Sequence, residues 1–100
     1  MTYVVCAHWK AKPGEEGRLA EVIEELTPLT RAEPACRFYQ SHRAVDDGRR
    51  FFLYEQYDDQ AGYEAHMASE HFTRLVKELA IPQLIEDRER AFYETMGAAQ

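Results

Sequence analysis

Two of the four histidines, His66 and His71, lie five residues apart in the stretch YEAHMASEHF, residues 63–72. An imidazole titrates near neutral pH and can accept a proton from a phenol or an enol. The short segment MAS, residues 67–69, interrupts the helical pattern between them. The two side chains therefore lack the i, i+4 spacing of a metal-binding pair on one helix, and the sequence has no HExxH motif. This pattern favours proton transfer over metal binding; the alternative is that backbone groups at the helix break satisfy both rings.

An acidic residue inside an apolar strand is a further candidate. Glu55 lies in FFLYEQY, where period-two alternation places Phe51, Leu53 and Glu55 on one face. A carboxyl group among aromatic residues is expected to be partly buried, and burial raises its pKa or requires a hydrogen-bond partner. Glu55 is therefore either a pocket acid or the partner of a basic residue such as His42 or Arg50. It joins the pocket if its face meets the helices.

Aromatic side chains are numerous enough to line a cavity for a flat apolar ligand, although core packing explains most of them equally well. Those expected to contact such a ligand are Tyr3, Trp9, Phe51, Phe72 and Tyr93.

The composition argues against several classes of function. Eighteen acidic and twelve basic residues give a formal net charge of −6, which offers no basic surface for nucleic acid or for an anionic membrane. Apolar runs such as YVVCA are far shorter than the roughly 20 residues needed to cross a bilayer. With no secretion signal in MTYVVCAHWK, a cytoplasmic location is expected. Cys6 and Cys36 are then expected to be buried thiols rather than a disulfide.

Four strand patterns are separated by turn residues and helical patterns. Runs of β-branched and aromatic residues predict strands over 3–11, 37–45, 49–57 and 88–96. The DDG sequence between the second and third strands is typical of a hairpin, so these two strands are expected to be antiparallel neighbours.

Helical spacing is clearest after the first strand, where the apolar positions are Leu19, Val22, Ile23 and Leu26. Pro28 and the following TRAEP, residues 30–34, are expected to fray the end of this helix. The DDQ sequence supplies an N-cap acid for a short helix that ends near Met67. Ser69 is the expected cap of the next helix, over 70–79, and Pro82 is expected to kink or end it.

The order β, α, β, β, α, β predicts one domain over residues 1–100 with an α+β, ferredoxin-like fold, in which helices cover one face of a four-stranded antiparallel sheet. Strands one and three are apolar on both faces, so the face away from the helices needs a second cover. A second copy of the chain is the economical cover. We therefore expect a homodimer with the sheets face to face, and His8 and His42 at its interface.

Several stretches resemble a known family: KPG, TRAEPACRFYQSHR, DDGRRFFLYEQYDDQAGYEAHMASEHF and RERAFYE. Together they span Val4 to about Glu94 and are similar to the antibiotic biosynthesis monooxygenase (ABM) family of the dimeric α+β barrel superfamily. The resemblance implies a homodimer in which each subunit holds a pocket between its sheet and its helices. One departure is Ala35, because the family usually has glycine after EP.

One branch of this superfamily degrades haem, and the present residues differ from that branch. When Gly14 and SEHF are matched, the pocket asparagine of that branch falls at Ala7, its tryptophan at His66 and its iron-ligating histidine at Val76. These mismatches disfavour haem degradation, and neither a cofactor nor a metal is expected.

The resemblance implies a cofactor-independent monooxygenase that oxidises a small aromatic compound, such as a phenol, a quinol or an anthrone. In this hypothesis His66 is the base or the anion stabiliser, and Glu55 and His71 orient it or the ligand. Two alternatives remain. One is a small-molecule isomerase of the same fold, and the other is a dimeric ligand-binding or stress-response module without turnover.

Overall fold

The computed structural model describes residues 1–97, in which four strands form one antiparallel sheet. The strands are β1 (Tyr3–Ala11), β2 (Cys36–Arg43), β3 (Arg50–Tyr57) and β4 (Ile85–Glu94). They lie in the order β2-β3-β1-β4, which is the expected ferredoxin-like arrangement. The predicted limits of the first three strands are correct to within two residues.

Helices cover one face of this sheet. They are α1 (Glu16–Arg31), α2 (Gln60–Met67) and α3 (Glu70–Phe72), and α3 continues directly as a π-helix over Thr73–Leu84. A π-helix of this length is rare. No helix within residues 1–97 is long and apolar enough to cross a membrane.

Two elements are regular over more residues than the sequence predicted. The first helix passes through Pro28 and ends at Arg31, because the Pro28 carbonyl still accepts a hydrogen bond from the Ala32 N–H at 3.1 Å. The last strand begins at Ile85 rather than at Arg88, because Ile85 pairs with Ala11 beside a β-bulge. A proline removes one donor, and around Pro28 the remaining hydrogen bonds are sufficient to continue the helix.

The core lies between the sheet and the helices. Directly opposed residues of β1 and β3 share this face, and they include Val5 with Glu55 and Trp9 with Phe51. The helix residues that pack against the sheet include Leu19, Ile23, Leu26, Leu75 and Val76. The face that carries Phe51 and Glu55 therefore meets the helices, which was the condition for Glu55 to join the pocket.

The opposite face has no helix over it, and we call it the open sheet face. Its apolar, aromatic and imidazole side chains are Val4, Cys6, His8, Phe38, His42, Phe52, Tyr54 and Tyr93. Phe38 and Tyr93 are 47% and 56% exposed. The sheet thus presents rings to solvent on the side where a second cover was expected.

Candidate functional site

The MAS break brings the ends of α2 and α3 together. His66 lies in the last turn of α2, and His71 lies in the first turn of α3. Ser69 links these two ends, because its Oγ donates to the His66 carbonyl at 2.7 Å and accepts from the Phe72 N–H at 3.2 Å. Asp59 caps α2 in the same way, so both predicted N-caps are confirmed. The two imidazole rings converge as a result, with centroids 6.2 Å apart.

Glu33, in the turn between α1 and β2, joins the two imidazoles. Its Oε2 atom lies 2.8 Å from Nδ1 of His66 and also forms a hydrogen bond with Nε2 of His71. A carboxylate oxygen accepts, so the ring nitrogens that face Glu33 are the donors in this geometry, and a neutral His66 would then have its lone pair on Nε2. We call Glu33, His66 and His71 the histidine cluster. His66 is buried, whereas the Glu33 and His71 side chains are 14% and 17% exposed, so the cluster reaches solvent on their side.

A second carboxyl group faces the other edge of the His66 ring. The Nε2 atom of His66 is 3.9 Å from Oε1 of Glu55, and the same oxygen accepts a 2.7 Å hydrogen bond from the Tyr57 hydroxyl. Glu55 is only 4% exposed. Its partner is therefore Tyr57 rather than His42 or Arg50. His42 lies on the open sheet face, where its Nδ1 is 3.1 Å from the Phe52 carbonyl oxygen.

Burial controls the protonation of this second carboxyl group. Removal from water raises the pKa of Glu55 to about 7; the charge of Glu33 adds to the increase, and His66, the Tyr57 hydrogen bond and Arg90 oppose it. Burial and the neighbouring Glu55 also raise the pKa of Tyr57 far above its ordinary value. Tyr57 is thus a neutral phenol that donates to Glu55 throughout the physiological range.

Aromatic rings enclose His66 on several sides. The nearest is Phe72, with its centroid 5.0 Å away, and the others are Tyr57, Tyr63 and Tyr39, at 5.4, 6.0 and 6.3 Å. Arg90 of β4 donates to the Tyr63 hydroxyl at 2.8 Å. Burial raises the pKa of Tyr63, and Arg90 opposes that change. The imidazole therefore lies in surroundings with little access to water, which strengthen its interactions with both carboxyl groups.

A close contact between two backbones holds the turn that carries Glu33. The Ala35 carbonyl accepts from the Asp58 N–H at 2.9 Å, and a Cβ atom on Gly62 would lie only 2.7 Å from the Ala35 Cβ. Gly62 of α2 thus makes room for the Ala35 methyl group. Among residues 1–97 only glycines have a positive φ, so the alanine at position 35 needs no left-handed backbone.

The five predicted aromatic ligand contacts are divided among three places. Phe72 packs on His66, and Tyr3 lies one ring further away, against Tyr63 at 6.0 Å. Trp9 and Phe51 form a cross-strand pair near the other end of β1 and β3. Tyr93 lies on the open sheet face and is not brought to His66, because it pairs with Val4 and strand alternation turns both away from the helices.

A cavity of about 620 Å³ lies near the β2–β3 hairpin and is separate from the histidine cluster. Its walls include Trp9 and Phe51 and, on the open sheet face, His8, His42 and Phe52. Both imidazoles stack on the Phe52 ring, at centroid distances of 4.9 and 5.3 Å. None of the residues of the histidine cluster lines this cavity, so it is not the place where the proposed proton-transfer groups meet.

Glu33 is the site residue that the sequence analysis did not single out. The only local signal is an acid directly before Pro34 in the turn that follows α1. Its partners are 33 and 38 residues away along the chain, so no local spacing predicts the contact. The spacing of His66 and His71 describes only positions along one helix, whereas a third element, the α1–β2 turn, brings both rings to one oxygen atom.

Comparison with known proteins identifies a family. Residues 2–78 match the family model described as antibiotic biosynthesis monooxygenase. Rv0793 of Mycobacterium tuberculosis is 28% identical over 68 residues, a match that spans 68% of this chain and 66% of Rv0793, just under two thirds of its length.

Solved structures share the fold over nearly the whole chain. PA3566 from Pseudomonas aeruginosa has a TM-score of 0.89 at 26% identity, over 96% of this chain and 95% of its own. SO0527 from Shewanella oneidensis has a TM-score of 0.85 at 26% identity, over 92% and 88%. The structure of Rv0793, at 21% identity, covers 100% of both chains with a TM-score of 0.89 and supports the fold alone. The ferredoxin-like α+β fold is thereby confirmed.

Proposed function

Because the chain belongs to the antibiotic biosynthesis monooxygenase family, we propose that it is a cofactor-independent monooxygenase that oxidises a small hydroxyaromatic compound such as a phenol, a quinol or an anthrone. One observation carries this proposal: a series of polar groups, Glu33, His66, Glu55 and Tyr57, lies among aromatic rings inside the protein. These groups supply a base, a carboxylate that orients it and a second carboxyl group, held by Tyr57, that can position the substrate hydroxyl for abstraction of its proton.

His66 is the base in this proposal. Its Nδ1–H donates to Glu33, so Nε2 has the lone pair that accepts the substrate proton. Since Nε2 and the Glu55 Oε1 atom are 3.9 Å apart, one hydroxyl oxygen can lie about 2.8 Å from both. When the proton moves to Nε2, the ring becomes a cation, and the Glu33 carboxylate stabilises it.

Glu55 and His71 are positioning residues in this proposal. Glu55, held by Tyr57, orients the substrate hydroxyl group toward His66. His71 binds the same Glu33 oxygen as His66 and thereby restricts the carboxylate to one orientation.

The oxidation balances without an external reductant. In an anthrone-like substrate, the deprotonated carbon donates electrons to O₂ and a C–O bond forms. The O–O bond then breaks, one oxygen atom remains as a new carbonyl group and the other leaves as water. The CH₂ carbon loses four electrons and O₂ gains four. The protein's part is to remove the proton and to keep the anion in dry surroundings, which the rings around His66 favour.

We also propose that the protein acts as a cytoplasmic homodimer with its open sheet faces together. Aromatic side chains lie on that face, and they support its burial against the same face of a second copy of the chain. Among them are Phe38, Phe52, Tyr54 and Tyr93. Cys6 and Cys36 are both free, which suits a reducing compartment. Burial raises the pKa of Cys36 to about 11, so its thiol is not a nucleophile at neutral pH.

The test is oxygen uptake by the purified protein with a panel of anthrones, quinols and catechols. His66→Ala should lower turnover by roughly 10² to 10⁴, the range expected for loss of a general base. His42→Ala is the matched control, because His42 lies on the other face of the sheet, and the assembly state of both variants is checked by light scattering.

Each result separates the candidate functions. Uptake that survives in His66→Ala removes this residue from the chemistry. If no compound on the panel gives uptake and one of them raises the melting temperature, the monooxygenase proposal fails, and an isomerase or a ligand-binding module takes its place.

A further inference from the structure

The histidine cluster brings together three side-chain atoms of the kinds that bind metal ions. Oε2 of Glu33, Nδ1 of His66 and Nε2 of His71 all lie within 4.8 Å of one another. The three residues come from the α1–β2 turn, from α2 and from α3. Their meeting point is therefore built by the tertiary fold, and the backbone contact between Ala35 and Gly62 supports it.

The distances suit a small ion. A zinc ion binds imidazole nitrogen and carboxylate oxygen at about 2.0–2.2 Å, so neighbouring ligand atoms lie about 2.9 Å apart in octahedral geometry and about 3.3 Å in tetrahedral geometry. Glu33 Oε2 and His66 Nδ1 are already 2.8 Å apart. The third pair, Nδ1 of His66 and Nε2 of His71, lies within 4.8 Å. Closing it to about 3.3 Å requires the His71 ring to move toward His66 by up to about 1.5 Å, and the partly exposed His71 side chain is the one able to make that movement.

The protonation of His66 can adapt to a metal. An ion on Nδ1 displaces the proton there, and the neutral ring then carries its proton on Nε2. That atom faces Glu55, which accepts a hydrogen bond from Tyr57 on the same oxygen. A carboxyl group behind a metal-binding histidine is the usual arrangement in metalloproteins, because it fixes the tautomer and the ring orientation.

We propose that Glu33, His66 and His71 bind a divalent transition-metal ion of the zinc type, and that the bound ion inhibits proton transfer by His66. Two imidazoles and one carboxylate favour zinc, cobalt or nickel over magnesium and calcium. An ion on Nδ1 forces the proton onto Nε2, which removes the lone pair that the proposed reaction uses. Metal binding stands on the geometry alone, whereas the inhibition rests on the proposed function.

Cobalt is the spectroscopic probe for binding. Chelator-treated protein is titrated with CoCl₂ while visible absorption is recorded, and ZnCl₂ is then added in competition. We expect one Co²⁺ per chain, ligand-field absorption bands and displacement by Zn²⁺. His71→Ala should weaken Co²⁺ binding by more than about 10-fold, because even the loss of a residue that only orients a metal ligand costs about 10- to 100-fold in metal affinity.

The other two histidines provide the control. A His8→Ala/His42→Ala double variant should bind Co²⁺ like the original protein, because both residues lie on the open sheet face. The proposal is overturned if Co²⁺ does not bind at micromolar concentrations, if His71→Ala binds it unchanged or if the double variant loses it. Circular dichroism of each variant shows that a loss is not caused by unfolding, and Glu33→Gln tests the cluster without removing a histidine.

Oxygen uptake distinguishes failure of the metal site from failure of the proposed function. Zn²⁺ at a concentration that saturates the site should abolish uptake, and EDTA should restore it. If Co²⁺ and Zn²⁺ bind to the cluster and turnover continues, the metal site stands and the assignment of His66 as the base is wrong. If no substrate is turned over, the cobalt titration alone decides the metal proposal.

Discussion

At the scale of single residues, the polar groups of the site are stabilised in pairs. Glu55 has lost most of its water, and the Tyr57 hydroxyl replaces part of that solvation with a 2.7 Å hydrogen bond. Oε2 of Glu33 likewise replaces part of the solvation of two imidazoles, because it forms hydrogen bonds with both His66 and His71. The cost of burying these groups is thus partly offset by contacts that also fix their orientation.

Glu55 should make the stability of the fold depend on pH. Its pKa is about 7 in the folded chain, whereas the ordinary value for a glutamate is 4.5, so between these values the folded state holds more protons than the unfolded state. Its contribution to stability is therefore complete below 4.5, declines as pH rises toward about 7 and levels off above that. In the original protein this loss should lower the free energy of unfolding by up to about 3 kcal/mol between about pH 5 and about pH 8, since one pKa unit is about 1.4 kcal/mol. Glu55→Gln should lack this part of the pH dependence.

The measurement is urea unfolding at a series of pH values in buffer with EDTA. The groups that face Glu55 are His66, Tyr57, Glu33, Arg90 and Tyr39. Since an imidazole titrates in the same range, His66→Gln is measured in parallel to separate its contribution. An identical pH dependence in Glu55→Gln and in the original protein would show that this carboxyl group is not the cause.

At the scale of elements, the site depends on how α2 packs against the α1–β2 turn. Gly62 lies in the first turn of α2 and lets Ala35 approach, and this contact places Glu33 beside His66. The MAS break has a related effect, because Ser69 ends α2 and begins α3 within one hydrogen-bonded unit. Two short helices can thus direct two histidines at one point, which one continuous helix does not do at a spacing of five residues.

Gly62→Ala should destabilise the protein by about 1–3 kcal/mol, because the new methyl group overpacks the contact with Ala35. The same variant should lower activity, since the turn that carries Glu33 must move. Adding Ala35→Gly should recover most of the loss by removing the opposing Cβ. Urea unfolding and oxygen uptake measure the two effects.

Gly17→Ala is the matched control for this prediction. Gly17 lies in α1, and a Cβ atom added there would have no other atom within 4 Å. Alanine there should stabilise the helix by roughly 0.5–1 kcal/mol. Equal effects of the two glycine substitutions would mean that the Gly62–Ala35 contact is not tight.

At the scale of the whole molecule, the sheet separates two kinds of surface. One face holds the core and the histidine cluster, and the other is the open sheet face with its exposed rings. A monomer would leave these rings in water. In a symmetric dimer, the rings of each subunit would be buried against the same face of the other subunit. The cavity beside His8 and His42 would then lie at the interface between the subunits.

Phe52→Lys should disrupt the proposed homodimer, because Phe52 lies on the open sheet face between two imidazoles. Two unpaired charges would be buried in each dimer, at several kcal/mol for each charge, so the dimer dissociation constant should rise by about 100-fold or more. Val45→Lys, on the exposed β2–β3 connection, is the control and should remain dimeric. Light scattering across a dilution series measures both, and a monomeric original protein at micromolar concentration would refute the dimer.

Local patterns were sufficient to predict most of the fold. Alternation in strands, apolar spacing in α1 and the caps at Asp59 and Ser69 depend on neighbouring residues, so they can be read directly from the sequence. The errors near Pro28 and Ile85 arose where distant or surrounding hydrogen bonds outweighed local propensity.

By itself, the sequence determined the elements of the fold and singled out two imidazoles and an acid in an apolar strand as candidate proton-transfer groups. Only the tertiary structure decided how they are connected. It places Glu33 between His66 and His71, gives Glu55 to Tyr57 and turns Tyr93 to the opposite face of the sheet. The physical reason is that these contacts join residues on separate elements, whose relative positions depend on the packing of α2 and α3 against the sheet rather than on any local spacing.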